Sequence, residues 1–209
     1  METQTQAEPL KAKRRADDAG RREYRFTARQ FWKMIDLGLF QDDSHVQLIR
    51  GQVFCMTKHE PHSFTVRRAA KLLATFLPEG FYARKEETMR HDVRSVLEPD
   101  VAVVPGSEDV FQPEAPRTSE AVLILEICAS SRTVDYRDKV RLYASAGVPV
   151  YWVVDVDRRR IDVFPQPEGS GREAAYARHD VYPEGSPAPV VIDGNEVGRI
   201  AAKDVLPPA

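Results

Sequence analysis

Glu126 follows five apolar residues, Ala121-Val122-Leu123-Ile124-Leu125, and is itself followed by Ile127 and Cys128. An unpaired carboxylate in such a run would cost on the order of several kcal/mol even after relaxation, so it needs a partner. Upstream, Glu98-Pro99-Asp100 opens a second apolar strand, Val101 to Val104. Downstream, Asp135 and Lys139 stand one helical turn apart on the helix expected after Glu126. Hard divalent cations take carboxylate oxygens, carbonyls and waters as ligands, and can both neutralise phosphoryl oxygens and activate water. Two strand carboxylates beside a lysine would suit metal-assisted phosphodiester hydrolysis. In that chemistry Asp100 and Glu126 hold the metal, and the carbonyl of Ile127, adjoining the Glu126 carboxylate, is a further ligand. Lys139, four residues beyond Asp135 and so on the same helix face, would orient water or stabilise developing charge. Each residue also has a plainer reading. Asp100 could cap a turn, Asp135 could be an ordinary helix N-cap, and Lys139 could pair with Asp135 on a wet face for only about 0.3–0.5 kcal/mol.

The elements that must position these groups are legible in outline. Thr27-x-x-Gln30 has the form of a capping box, and Phe31, Met34 and Ile35 recur at helical spacing until Gly38. Val46 to Ile49 and Val53 to Met56, around Arg50-Gly51-Gln52, read as a hairpin turned by glycine. Val66, Ala69, Ala70, Leu72, Leu73 and Phe76 mark an amphipathic helix from His62 to Leu77, with Arg67, Arg68 and Lys71 on its polar face. Phe81 to Met89 reads as a strand, and residues 105–119 as a proline-bearing loop. Ala121 to Cys128 is a fully buried strand. The next helix starts at Asp135, uses Val140, Tyr143 and Ala144 as its apolar face, and ends at Gly147-Val148-Pro149. Val150 to Val156 and Ile161 to Phe164 flank an arginine-rich turn, Arg158 to Arg160, which reads as an exposed turn before it reads as a phosphate contact. Tyr151, Trp152 and Tyr143 read as core. Short strands are expected at Ala175 to Tyr182 and Val190 to Ile192. Strand, helix, strand from Ala121 to Val156 makes a parallel crossover, while the hairpins add antiparallel strands. The expected fold is therefore α/β, a mixed sheet flanked by helices.

A chain of 209 residues is long enough to bury a core, and its 42% hydrophobic and 30% charged content is an ordinary soluble balance. The formal charge of -2 excludes a molecule that is basic all over. Any nucleic-acid contact must come from local basic segments. No apolar run reaches the length of a membrane span or forms a signal-peptide core, so a cytoplasmic location is expected. Cys55 and Cys128 both lie in apolar strands and read as buried free thiols. Residues 1–23 carry basic side chains with almost nothing to bury and read as a disordered basic tail before a single domain, residues 24–209.

The stretch LILEICASSRTVDYRDKVRLYASAGVPVYWVVD, Leu123 to Asp155, resembles the signature of the Uma-two family of restriction endonucleases. That signature runs from a strand Glu through a Ser/Thr-rich turn, an Asp and a helical Lys to Tyr-Ala-x-Ala-Gly-Val-Pro-x-Tyr-Trp and Val-Asp. EPDVAVV resembles the family's Pro-Asp strand, and VQLIRGQVFCM followed by His62 and a helix resembles its N-terminal hairpin and helix. The landmarks run in order from about Phe26 to Phe164. The resemblance implies a restriction-endonuclease-like fold of the PD-(D/E)XK superfamily, with Pro99-Asp100 as the first acidic motif and Glu126 as the second. Cys128 occupies the usual lysine place, and the resemblance moves that role to Lys139, with His62 and Asp135 in support. Arg50 and Ala129 depart from the family's usual residues. The activity implied is a magnesium- or manganese-dependent endonuclease acting on DNA, with no membrane partner and a homodimer allowed. Two rivals stand beside it. One is a catalytically silent nuclease fold that binds nucleic acid or protein; the other is a hydrolase of small phosphorylated substrates with a closed pocket.

Overall fold

The computed structural model describes residues 23–40, 45–56, 59–129 and 134–208. The expected basic tail, residues 1–23, lies outside them apart from Glu23, as does most of the Ser/Thr-rich turn after Ala129. In chain order the first elements are helix α1 (Ala28–Asp36), strands β1 (His45–Ile49) and β2 (Gln52–Met56), and helix α2 (Glu60–Ala74). Strands β3 (Phe81–Lys85), β4 (Met89–Asp92), β5 (Ser95–Leu97), β6 (Val101–Pro105) and β7 (Leu123–Cys128) follow. A π-helical turn, Val134–Lys139, runs into α3 (Val140–Ser145), which leads to β8 (Val150–Asp155) and β9 (Arg160–Pro165). The remainder comprises β10 (Pro167–Glu168), β11 (Ala175–Tyr176), β12 (Asp180–Pro183), the hairpin β13 (Ala188–Ile192) and β14 (Asn195–Ile200), and α4 (Ala202–Val205).

The central sheet has six strands in the order β12-β9-β8-β7-β6-β3. Its β7–β8 pair is parallel, joined by the crossover through α3, while its other pairs are antiparallel. This is the mixed α/β architecture expected. Side chains alternate along β7, so Leu123, Leu125 and Ile127 face one way and Ile124, Glu126 and Cys128 the other. All six are buried, which requires both faces to be covered. On the first face α2, α4 and the β13–β14 hairpin pack against Val101, Val103, Trp152 and Val154. On the second, Leu142 and Tyr143 of α3 join Met89 and Leu97 from the neighbouring small sheet. That four-stranded sheet, ordered β2-β1-β5-β4, carries α1 through Phe31, Leu48 and Val96.

Several local features follow from side-chain chemistry. The Thr27 hydroxyl accepts from the Gln30 N–H at 3.2 Å while Gln30 Oε1 accepts from the Thr27 N–H at 2.9 Å, completing the capping box. The β1–β2 turn places Arg50 at φ 50 and Gly51 at φ 83, the primed-turn geometry that matches strand twist. A Cβ on Gly51 would stand 2.8 Å from the Arg25 Cβ. Asn or Asp suits the Arg50 position better. Arginine there also reaches across, with Nη1 3.2 Å from Asp138 Oδ1 on the π-helical turn.

The structure corrects several expectations. The second helix begins at Glu60, not His62, because Pro61 is tolerated in a first turn whose N–H groups need no partner, and it ends at Ala74. The strand expected from Phe81 to Met89 breaks at Glu86, whose φ is 54, and Met89 opens a different sheet. Asp135 is no N-cap: it lies inside the π-helical turn with 1% exposure. Cys128 is buried but Cys55 is exposed, since β2 pairs with β1 alone at the edge of the small sheet. Among the described residues no helix is long and apolar enough to cross a membrane.

Gly198 in β14 packs under an aromatic ring, and a Cβ there would come within 2.2 Å of Phe76 Cδ1. Gly198→Ala is expected to lower stability by about 1–3 kcal/mol through overpacking. Thermal or denaturant unfolding checks this, and an unchanged midpoint would mean that the Phe76 ring swings aside freely.

Candidate active site

The β6–β7 register, Val101 opposite Leu125 and Ala102 opposite Ile124, continues by one residue to set Asp100 opposite Glu126. Glu126 leaves the sheet on the face that α3 covers, while Asp100, just before β6, reaches His62 of α2. Asp100 is 6% exposed, and its Oδ2 accepts the Ile127 N–H at 2.7 Å and lies 3.1 Å from His62 Nε2. The main-chain group of Ile127 seen touching the site is thus its N–H. Glu126 is 2% exposed and both of its oxygens are engaged: Oε2 stands 2.8 Å from Lys139 Nζ, and Oε1 accepts the Tyr143 hydroxyl at 2.6 Å. Lys139, also 2% exposed, lies 3.4 Å from Asp135 Oδ1 as well.

The π-helical turn is what brings Lys139 inward. Such one-turn widenings recur where a helix must re-aim side chains at a functional site. Here Asp135 and Lys139 both point at the sheet, and the Tyr151 hydroxyl donates to the Asp135 carbonyl at 3.1 Å. A second cluster, centred on the buried Asp162, anchors the same turn. The Tyr136 hydroxyl donates to Asp162 Oδ2 at 2.6 Å, and Asp162 also meets Arg160 Nε at 2.8 Å and His179 Nε2 at 2.6 Å.

Three carboxylates, Asp100, Glu126 and Asp135, are thus buried around one ammonium, that of Lys139. Burial pushes the Glu126 carboxyl up to about 7, opposed by Lys139 and reinforced by Asp100 and Asp135. Burial alone would neutralise Lys139, but the facing carboxylates prevail and hold it firmly protonated. For Asp100, burial is outweighed by the hydrogen bond and charge of His62, the Lys139 ammonium and the Ile127 N–H, and the carboxyl is held below its ordinary value. Tyr143 and Tyr151 are raised by burial and by the nearby carboxylates, so they stay phenolic donors. With its acids ionised the cluster carries more negative charge than Lys139, with His62 beside Asp100, offsets. A divalent cation would offset the remainder, and carboxylate oxygens are the donors such an ion takes. The donor set fits.

The five side chains expected at the site fall into two adjoining sets, His62 with Asp100 and Lys139 with Glu126 and Asp135, all buried except the half-buried His62. Lys85, a lysine on β3, stays outside these contacts and stands 3.7 Å from Glu86 Oε2 with 45% of its side chain exposed. Glu86 is the residue that the sequence concealed. It follows β3, and its N–H donates to the Asp100 carbonyl at 3.0 Å. Holding a non-glycine residue at φ 54 costs roughly 1–2 kcal/mol. His62, Glu86 and Asp100 each offer a ligand atom, all within 4.8 Å of one another. The available signal was the pairing of β3 with β6, Lys85 opposite Val101, which puts Glu86 across from Asp100.

Basic side chains expected to meet phosphate are engaged within the chain. Arg67 pairs with Glu60 at 2.7 Å, and Arg68 donates to the Asp204 carbonyl at 3.0 Å. In the arginine turn, Arg159 pairs with Glu184 at 2.5 Å and Arg160 with Asp162.

A family described as "Putative restriction endonuclease", Uma2, matches residues 29–192. Among solved structures the chain is similar to "a putative nuclease belonging to DUF820" from Anabaena variabilis. The likeness covers 77% of this chain and 88% of that one, with 15% identity and a TM-score of 0.60. At that identity it speaks to the fold, which is restriction-endonuclease-like. No protein of curated function matches the sequence.

Proposed function

Because the chain belongs to the Uma2 family, we propose that it is a magnesium- or manganese-dependent endonuclease hydrolysing phosphodiester bonds in DNA. Residues 24–209 act in this reading as one nuclease-like domain. The observation that carries it is the convergence of three buried carboxylates, Asp100, Glu126 and Asp135, on the Lys139 ammonium, with His62 beside Asp100. Asp100 and Glu126 would hold the cation, with the Ile127 carbonyl adjoining. The cation supplies charge neutralisation on the phosphoryl group and a more acidic bound water. Lys139, fixed by Glu126 and Asp135, places a positive charge where negative charge develops, and costs no reorganisation because its position is preset. The Ile127 N–H and His62 fix the direction of the Asp100 carboxylate. Tyr143 fixes that of Glu126.

Purified protein should cleave or nick DNA with Mg2+ or Mn2+, and Glu126→Ala should not. Unchanged cleavage by Glu126→Ala would assign the activity to a contaminant. A second reading, a catalytically silent nuclease fold, is favoured by the internal pairing of Arg67, Arg159 and Arg160, which leaves less positive charge for DNA. It predicts wild-type protein that neither binds a dication nor cleaves. The cleft of about 560 Å3 beside Glu86, lined by Arg84 with Glu87, Glu108 and Glu114, does not by its charge favour a small phosphorylated substrate over DNA.

A further inference from the structure

We infer that Glu86 is a cation ligand, completing with His62 and Asp100 a seat that takes a divalent first-row transition ion of the Mn2+ type in preference to Mg2+. This rests on the reading of the site as a dication centre and goes beyond it, since no family motif in the sequence points to Glu86.

The geometry is that of a shared seat. Ligand atoms on one small dication sit roughly 2.0–2.6 Å from it, and so stand no more than about 4–5 Å apart. The donor atoms of His62, Glu86 and Asp100 already lie within 4.8 Å of one another. They come from three different elements. His62 is in the first turn of α2, Glu86 follows β3, and Asp100 precedes β6. Two ties fix the arrangement: the Glu86 N–H on the Asp100 carbonyl at 3.0 Å, and His62 Nε2 against Asp100 Oδ2 at 3.1 Å. Asp100 is the common member, so the seat adjoins Glu126 and Lys139 across the β6–β7 pair. Glu86 closes its outer side, where the lining of the adjacent cleft begins.

The donor set also selects the ion. Mg2+ is usually held by one or two carboxylates and keeps its waters. Imidazole nitrogen suits transition ions, whose affinity for mixed nitrogen and oxygen sites rises along the first row. Two carboxylates and one imidazole should therefore discriminate for Mn2+ over Mg2+ through His62 itself.

The test is Mn2+ binding to the full chain, read from loss of the free-ion EPR signal, with Mg2+ as competitor. Wild type should bind Mn2+ at least tenfold more tightly than Mg2+, and the bound ion should show hyperfine coupling to an imidazole nitrogen. Glu86→Gln should weaken Mn2+ by tenfold or more. His62→Asn should abolish the nitrogen coupling and most of the preference over Mg2+. Glu86→Gly serves as the second variant because glycine accepts the left-handed backbone at this position; it should stay folded and still bind poorly. Mn2+ bound equally well by wild type and both Glu86 variants, yet lost in Asp100→Asn, would overturn the role of Glu86 while leaving the dication site standing. Equal affinity for Mg2+, or no nitrogen coupling, would overturn the selectivity. No cation bound by wild type would overturn the seat and the dication site together.

Discussion

Lys139→Met is expected to lower unfolding free energy by about 3–5 kcal/mol and to abolish DNA cleavage. The buried ammonium faces both Glu126 and Asp135, at 2.8 and 3.4 Å. Methionine keeps much of the stem volume and removes the charge. Glu126 and Asp135 would then lose the ammonium they share in a dry site, and the chain would relax by protonating them or by opening the π-helical turn. Combining Lys139→Met with Glu126→Gln should recover part of the lost stability, since it removes one of the stranded charges. Denaturant unfolding of the two single variants and the double variant measures that coupling. A Lys139→Met protein as stable as wild type would mean that the ammonium does not hold this cluster together.

Glu126→Gln should behave in the opposite way, with activity lost and the fold kept. The amide can still accept from Lys139 and meet the Tyr143 hydroxyl, and Lys139 remains opposite Asp135 and near Asp100. Cleavage should fall by at least about a hundredfold, the scale on which a preorganised charge at a reacting centre matters, while the fold survives. The pH dependence carries a further sign. Burial raises the folded carboxyl to about 7 from an ordinary 4.5, so between those values the native state holds more protons than the unfolded chain. Stability from this group is greatest below about 4.5 and declines as pH rises through about 7. Glutamine cannot titrate. In chelator, the wild type should therefore lose stability relative to Glu126→Gln as pH is raised from 5 to 8. Parallel pH profiles would show that Glu126 does not hold its proton in the folded state.

The core of the site was legible because burial and charge conflict there. A carboxylate following five apolar residues needs a partner, and an Asp–Lys pair four apart beyond it supplies one. The packing places them together with Asp100 by a register that the short apolar strands could suggest. The capping box at Thr27 and the Arg50-Gly51 hairpin were legible for a similar reason, since backbone groups there dictate the residue type. Glu86 was not. Lys85-Glu86-Glu87 looks like any solvated strand end, and a residue driven to φ 54 leaves no mark on its own side-chain identity. Asp135 was singled out together with Lys139, but its plainer reading as a helix cap fails. An acidic residue before a helix normally caps it, and only the π-helical widening turns it inward. Cys55 sits in an apolar strand, yet burial depends on whether another strand lies beyond β2, which is a long-range fact.

The central claim is that the buried Asp100–Glu126–Lys139 cluster is a dication-dependent phosphodiesterase site. Its most direct test is the rate of supercoiled-plasmid nicking by wild type and Asp100→Asn, purified identically, in Mn2+ and again in excess chelator. Nicking by wild type in Mn2+, lost both in chelator and in Asp100→Asn, is the expected result. Equal nicking by the two proteins, or wild-type nicking that persists in chelator, would contradict the claim.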